Sequence, residues 1–449
     1  MAAIAIESGP ADVAPAASRR AWWGLALLIV ATVFSFVDRQ IFSLVADPMS
    51  HELGLTNAQL GLLQGLGLSF FMVIGGLPLG WLADRMNRSV LLAICVLAWS
   101  LSTLACGLSQ NFTQLLLSTI GVAFGEGALV PIIYSLIPDL FPRHQRVQAN
   151  SIYFLSAVLG AALGLALCGA TLAAIEAAKS TLPTFSHIAS WRLAFCAVAL
   201  PGPVLAIAIL SIKATRGTEA SLVRAQPTLG LKIYLRRHWL ACINVFCGFG
   251  FYALALAAGV SWLPIILTRE FREAPAKVGI RLGMSIGLGT CIGILVAFLL
   301  ARRLDHRSNP TVPLIISRYA FLLSALPIFL MVFARSPLEI YGLFAALMVA
   351  SMAASSLMPN ILQDMVPRHL RARLIAINSI VSVCFSGAGP ILLGVFSSAG
   401  PASAHPLVMA LVIIGLPCCL LASLLMKGSE RPVKNALTEF DETSSLSAA

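Results

Sequence analysis

Twelve runs of apolar residues, each long enough to cross a bilayer, constrain this chain more than any other feature of its sequence. They fall at about 21–45, 58–82, 90–108, 113–137, 147–174, 191–212, 239–267, 277–301, 311–334, 337–362, 372–399 and 404–427. A hydrocarbon core about 30 Å thick takes about 20 helical residues. Inside it, backbone N–H and C=O groups must be satisfied within the segment, so each run is expected as a helix. With 58% hydrophobic and 11% charged residues in 449, little chain is left for an aqueous domain. The expected fold class is all-α integral membrane, with twelve transmembrane helices in two six-helix bundles.

The net charge of +11 is read from where it falls. An even number of spans returns the chain to its starting side. Segments on that side hold 21 of the 30 Lys and Arg residues, whereas the opposite loops hold four, Lys179, Arg269, Arg272 and Arg335. Basic residues collect in cytoplasmic loops, so both termini are expected in the cytoplasm, and the excess gives no reason to expect nucleic acid as a partner. The longest inner connection carries six basic residues and follows the sixth run. The expected organisation is a disordered tail at 1–20, a first bundle at 21–212, a linker at 213–238, a second bundle at 239–427 and a tail at 428–449. All ten cysteines lie in apolar runs without CxxC spacing, and the seven histidines lie in connections. No metal site and no cofactor is expected, and an enzyme reading finds no support.

The two halves repeat. Asp139, Pro142, Arg143, His144 and Arg146 after the fourth run recur in register as Asp364, Pro367, Arg368, His369 and Arg371 after the tenth, 225 positions on. Ala58 to Gly61 against Ala276 to Gly279, and Asp84 against Asp305, keep offsets of 218 and 221. Parallel repeats of this size are one plan of secondary transporters, with substrate held between the halves near the midplane.

The stretch Gly80-Trp-Leu-Ala-Asp84-Arg85-Met-Asn87-Arg88 resembles the signature of the second loop of the major facilitator superfamily, with Asn87 and Ser89 as departures. The resemblance implies the major facilitator fold. It also implies a cytoplasmic latch in which Asp84 approaches the start of the eleventh helix and Arg88 pairs with Asp139. Arg146 belongs to this group, and Asp305, Asp364 and Arg371 are the expected weaker counterpart. A narrower resemblance rests on Val37-Asp38-Arg39-Gln40, Glu52-Leu-Gly-Leu55, Gln59-Leu-Gly61, Gly125-Glu126 and Trp191-Arg192 with Phe195. Together these are similar to the spinster-like branch, which implies proton-linked movement of lysophospholipids or sphingosine phosphate.

Asp38 and Glu126 alone among nineteen acidic residues lie well inside an apolar run. An ionisable group there costs about 2.5–3.5 kcal/mol on insertion scales, which points to a use. Helical rise places Asp38 and Arg39 about 10–12 Å below the outer end of the first run and Glu126 about 20 Å below the outer start of the fourth. Arg39 is then placed to reach toward Glu126. The spinster-like pattern has an arginine seven residues before the glutamate, where this chain has Thr119. Asp38 is thus expected without its cross-helix cation, as a proton carrier or a substrate contact. The alternative is that Asp38 and Arg39 only tie down the outer end of the first helix near Asp47.

In the second half, Asn244 and Tyr252 are candidates for the cavity wall, and Arg281 and Arg318 are expected to snorkel to the interface. Gly160 and Gly164, with the cluster at Gly387, Gly389, Pro390 and Gly394, are expected at close helix contacts. The expected function is proton-coupled transport, by alternating access, of an amphiphilic lipid-like or organic anion, in a bacterial inner membrane and as a monomer. A carrier of a small water-soluble organic acid or drug is the alternative, and a receptor or embedded enzyme is a third reading.

Overall fold

The computed structural model describes residues 18–83, 85–181, 187–212, 229–304, 311–366, 370–399 and 405–448. These contain twelve helices long and apolar enough to cross a membrane, numbered here as spans 1 to 12. Spans 1 to 6 are Arg19–Leu53, Asn57–Ala83, Arg88–Leu108, Phe112–Leu140, Gln148–Thr181 and Ser190–Ile209; spans 7 to 12 are Trp239–Arg269, Pro275–Arg303, Val312–Phe333, Pro337–Asp364, Arg373–Ser397 and Pro406–Asn435. The terminal face is the one at which span 1 begins and span 12 ends, and the far face lies opposite.

Span starts are set by side chains that take up orphan backbone N–H groups. Ser18, Asn87, Asn111 and Ser336 cap spans 1, 3, 4 and 10, and Thr56 forms a capping box with Gln59 at the start of span 2. Span 1 runs past its apolar stretch, through Pro48, to Gly54, whose φ of 64° closes the helix end. Span 12 likewise continues beyond residue 427, its helix running to Ala448, and Arg318 of span 9 pairs with Glu430 at 3.0 Å. Residues 1–17 and 213–228, which hold most of the expected tail and linker, lie outside the described residues; Leu229–Arg237 is a short helix whose Tyr234 hydroxyl donates to Met365 O.

Spans 4 and 10 are each broken, between Phe112–Gly127 and Leu129–Leu140 and between Pro337–Ser355 and Met358–Asp364. A proline follows each break, Pro131 and Pro359, 228 positions apart and so three residues out of register with the 225-residue repeat. Neither has an N–H for the carbonyl four residues earlier, which frees Gly127 O and Ser355 O and kinks the helix.

The core shows how the bundles meet. One cluster of buried apolar side chains runs through the second bundle into the far-face half of the first, through Val37 to Met49, Leu60, Leu165 and Trp191. The terminal-face half of the first bundle is a separate cluster, around Leu28, Trp99, Ile133 and Phe141, with no member from the second bundle among the described residues. The bundles therefore pack together toward the far face and part toward the terminal face.

Glycine makes the far-face contact close. A Cβ at Gly61, Gly65 or Gly394 would collide with Pro390 O, Gly387 O or Asn57 O, so spans 2 and 11 touch backbone to backbone. Spans 5 and 8 do the same: a Cβ added at Gly169 would lie 2.7 Å from Ala276 O, and one at Gly283 2.7 Å from Ala162 O. Gly160 and Gly164 instead admit Phe36 of span 1, and Gly389 admits Leu254 of span 7.

Candidate functional site

One face of span 1 carries Ser35, Arg39 and Ser43 at helical spacing, with Gln40 beside them. Arg39 Nε donates to Glu126 Oε2 at 2.6 Å, its Nη2 donates to Ser35 Oγ at 3.2 Å, and its guanidinium lies 5.6 Å from the Phe36 ring centroid. Glu126 sits in the last turn before the break in span 4, where Pro131 interrupts the helix. Its side chain is 0% exposed against 33% for Arg39, so the carboxylate lies behind the cation. Glu126 Oε1 has no hydrogen-bond partner among the described residues. The expected reach of Arg39 to Glu126 is what the structure shows.

Asp38 points elsewhere. Adjacent helical residues differ by about 100° in direction, and Asp38 is turned into the first bundle, 4% exposed. Its Oδ1 accepts from Thr103 Oγ1 of span 3 at 2.9 Å. Its Oδ2 has no partner among the described residues, and the neighbouring Trp99 Nε1 stays short of hydrogen-bond geometry with it. Thr119 is buried too, but its hydroxyl donates to Leu115 O within its own helix at 2.8 Å. A neutral hydroxyl from another span thus holds Asp38 where a cation is absent. Asp38 and Arg39 do not tie down the outer end of span 1: Asp47 there pairs with Arg269 instead.

Arg39, Gln40 and Ser43, with Gln64 and Ser69 of span 2, form one wall of a cavity of about 200 Å³ between the bundles. Ser261 of span 7 and Ser386 of span 11 face them, and Leu68, Met72, Ala257, Val260 and Pro390 supply the apolar part. Asn244 and Tyr252, expected in this wall, are elsewhere. Asn244 lies against Gly428 of span 12. Tyr252 is buried inside the second bundle, its hydroxyl 3.0 Å from Ser324 Oγ and its ring stacked on Phe321. The Tyr252 hydroxyl is used within its own bundle, which is why it does not face the cavity.

Beyond the cavity, the far face is closed by contacts that sequence reasoning missed. Arg269, at the end of span 7, donates from Nε to Asp47 and from Nη2 to Ser50 Oγ at 2.6 Å, both in span 1. Its Nη1 donates to Asn57 Oδ1 of span 2 at 2.7 Å, and Asn57 Nδ2 donates to Ser397 Oγ of span 11 at 3.1 Å. A signal was present in the sequence, since Arg269 is one of four cations on the side where cations are scarce. Next to it, Glu270 accepts from Leu407 N at the start of span 12 at 2.6 Å and lies 3.5 Å from His405 Nδ1.

At the terminal face, Arg88 pairs with Asp139 at 2.6 Å and donates to Ser135 O at 3.0 Å, as expected. Both partners belong to the first bundle, so this pair by itself braces spans 3 and 4. Arg146 donates to Phe141 O and Pro138 O, both at 3.0 Å, and Arg371 to Gln363 O at 2.9 Å, again within one bundle. Arg85 lies over the Trp81 ring at 3.4 Å, and Gly80 has open space beside its Cα. Asp364 ends span 10, while Asp84 and Asp305 lie outside the described residues. Arg281 and Arg318 both end on carboxylates, Glu273 at 2.5 Å and Glu430 at 3.0 Å.

The chain is similar to known transporters along most of its length. An "MFS-type efflux pump" of Mycolicibacterium smegmatis is 27% identical over 84% of this chain and 85% of the relative. The sphingosine-1-phosphate transporter SPNS2 of Mus musculus is 31% identical over 31% of this chain and 26% of the relative. A crystal structure of a bacterial homologue of the human lysosomal transporter Spinster, inward-facing and unoccupied, shares the fold. Its TM-score is 0.75 at 21% identity, over 95% of this chain and 98% of that one. The model of the Major Facilitator Superfamily matches residues 28–388, so the chain belongs to that superfamily and is a transporter rather than an enzyme.

Proposed function

We propose that this protein is a proton-coupled secondary active transporter that moves an amphiphilic, lipid-like or organic anion by alternating access. The observation that carries the reading is the position of Arg39, a cation on the cavity wall with a fully buried carboxylate, Glu126, as its partner. An anion entering the cavity competes with Glu126 for the guanidinium. Protonation of Glu126 releases Arg39, so proton binding and anion binding favour one another, and each state is stabilised by its ligand. Asp38, turned away from the cavity and held by Thr103, is the second proton site.

The mixed lining, with serines and glutamines beside Leu68, Met72 and Val260, suits an amphiphile. Its volume of about 200 Å³ accommodates a headgroup, and a chain would extend between the bundles where they part toward the terminal face. The same volume also supports the second reading, a small water-soluble organic acid or drug. The basic bias of 21 to 4 supports both termini in the cytoplasm, which makes this conformation the inward-facing one. The cytoplasmic latch is proposed to form from Asp84, Arg88, Asp139 and their second-half counterparts when the terminal face closes. A bacterial inner membrane and a monomeric state complete the proposal.

The test is transport in proteoliposomes, with an alkyl phosphate and a short dicarboxylate as alternative substrates. Glu126→Gln should abolish accumulation driven by a pH gradient and leave counterflow exchange. Accumulation by Glu126→Gln that still follows the imposed gradient at the wild-type rate would falsify the assignment.

A further inference from the structure

Gln64 ends the first part of span 2, one residue before the break at Gly65. It is 7% exposed, and its carboxamide Oε1 accepts from Ser43 Oγ at 3.4 Å. Its Nε2 has no partner among the described residues although the atom is buried, and the residue lines the cavity that Arg39 also lines. A donor left unsatisfied in a dry site is costly, and a turn of the Gln64 carboxamide toward the cavity it borders brings Nε2 to an acceptor there.

We infer that Gln64 is a second ligand-contact residue, donating from Nε2 to an oxygen of the same carboxylate or phosphate group that Arg39 binds. The inference rests on the reading that an anion enters at Arg39. Two donors from different helices, one charged and one neutral, suit a group that spreads its acceptor oxygens, as a carboxylate or phosphate does.

Position gives this contact a further consequence. Gly65, the next residue, is pressed against Gly387 O, and Gly61 against Pro390 O. An anion held by Gln64 therefore bears on the joint between spans 2 and 11 that closes the far face. The Ser43 hydroxyl donates to Oε1 in this arrangement, which leaves the Nε2 end of the carboxamide for the anion.

The experiment is calorimetric titration of the purified full chain with hexyl phosphate and, separately, with inorganic phosphate. Wild-type protein should bind hexyl phosphate. Gln64→Met, which keeps length and volume, should weaken binding by about tenfold, in line with loss of one hydrogen bond to a charged group. Gln64→Glu, nearly isosteric, should weaken it at least as much, because a carboxylate there repels the anion. It carries the same test if the methionine variant does not fold. A parallel loss with inorganic phosphate assigns the contact to a free anion, and binding of hexyl phosphate alone assigns it to an amphiphile's headgroup.

Wild-type affinity in Gln64→Met, or in Gln64→Glu, overturns the inference. If Arg39→Met loses binding while Gln64→Met keeps it, Gln64 is excluded and the anion reading stands. Wild-type protein that binds neither probe overturns both.

Discussion

Replacing Arg269 by glutamine should open the far face. In the described conformation this one side chain holds span 7 to span 1 through Asp47 and Ser50 and to span 2 through Asn57. Hydrogen bonds to a charged group contribute about 1.5–3 kcal/mol each when dry. Here the Arg269 and Asp47 side chains are 22% and 19% exposed, and both are hydrated again when the face opens. About 1 kcal/mol per contact is the appropriate level, or about 3 kcal/mol for three contacts. That is roughly a hundredfold in the equilibrium between the two facing states, enough to raise an open population of about 1% to about 50%. Spin labels at Gln110 and Leu338, exposed far-face positions in the first and second bundles, report the change by pulsed electron resonance, with the exposed Cys291 and Cys384 replaced by alanine. A distance distribution in Arg269→Gln that matches wild type would refute the reasoning. So would additive effects of Arg269→Gln and Asp47→Asn, because residues in direct contact should not add.

Gly61→Ala should act in the same direction by steric means, since its methyl would meet Pro390 O across the bundles; the same labels should show a longer separation, and an unchanged one would mean that span 2 relaxes. Asp38→Asn should leave the Arg39–Glu126 pair in place and still impair proton-driven uptake, because Asp38 faces Thr103 and not the cavity; uptake with the wild-type pH profile would remove Asp38 from the coupling. At the far face, burial pushes the Glu270 carboxyl up from its ordinary value, against the opposing hydrogen bond from Leu407 N–H and the charge of His405. A raised value means that its stabilising contribution is complete below the ordinary glutamate range and is lost as pH rises through the raised one. Wild-type Tm should accordingly fall relative to Glu270→Gln over that rise, with parallel Tm curves as the contrary result.

The spans were legible because hydrocarbon admits few alternatives to a helix. The end of span 1 was not: Asp47, Pro48, Ser50 and His51 read as a loop, yet the helix continues to Leu53. The polar residues Asp47 and Ser50 are there for Arg269, 222 and 219 positions away, and a local reading has no access to such a partner. Depth along a helix was enough to bring Arg39 to Glu126, because rise per residue is nearly fixed. Rotation about the axis is set by neighbouring spans, so the partner of Asp38 was out of reach, and it proved to be a neutral threonine. Tyr252 shows the complementary error. A polar group in an apolar span faces a cavity or another polar group, and here Ser324, 72 positions on, supplies the second.

The repeat explains where the chemistry sits as well as the fold. Both halves keep the broken helix, with a proline after each break, but only the first places an acid before it; the residue 225 positions after Glu126 is Ser351. Among the described residues the second bundle offers Ser261, Ser386 and apolar side chains to the cavity and no charge. Charge on the cavity wall is therefore confined to one bundle, and a change of charge state at Arg39 or Glu126 reaches the other only through whatever spans the cavity or through the contact between spans 2 and 11. That contact is backbone against backbone at Gly61 and Gly65. Backbone does not deform by a fraction of an ångström at low cost, so the joint is suited to two discrete arrangements rather than a graded one. A transporter needs that property if its two faces are never to open together.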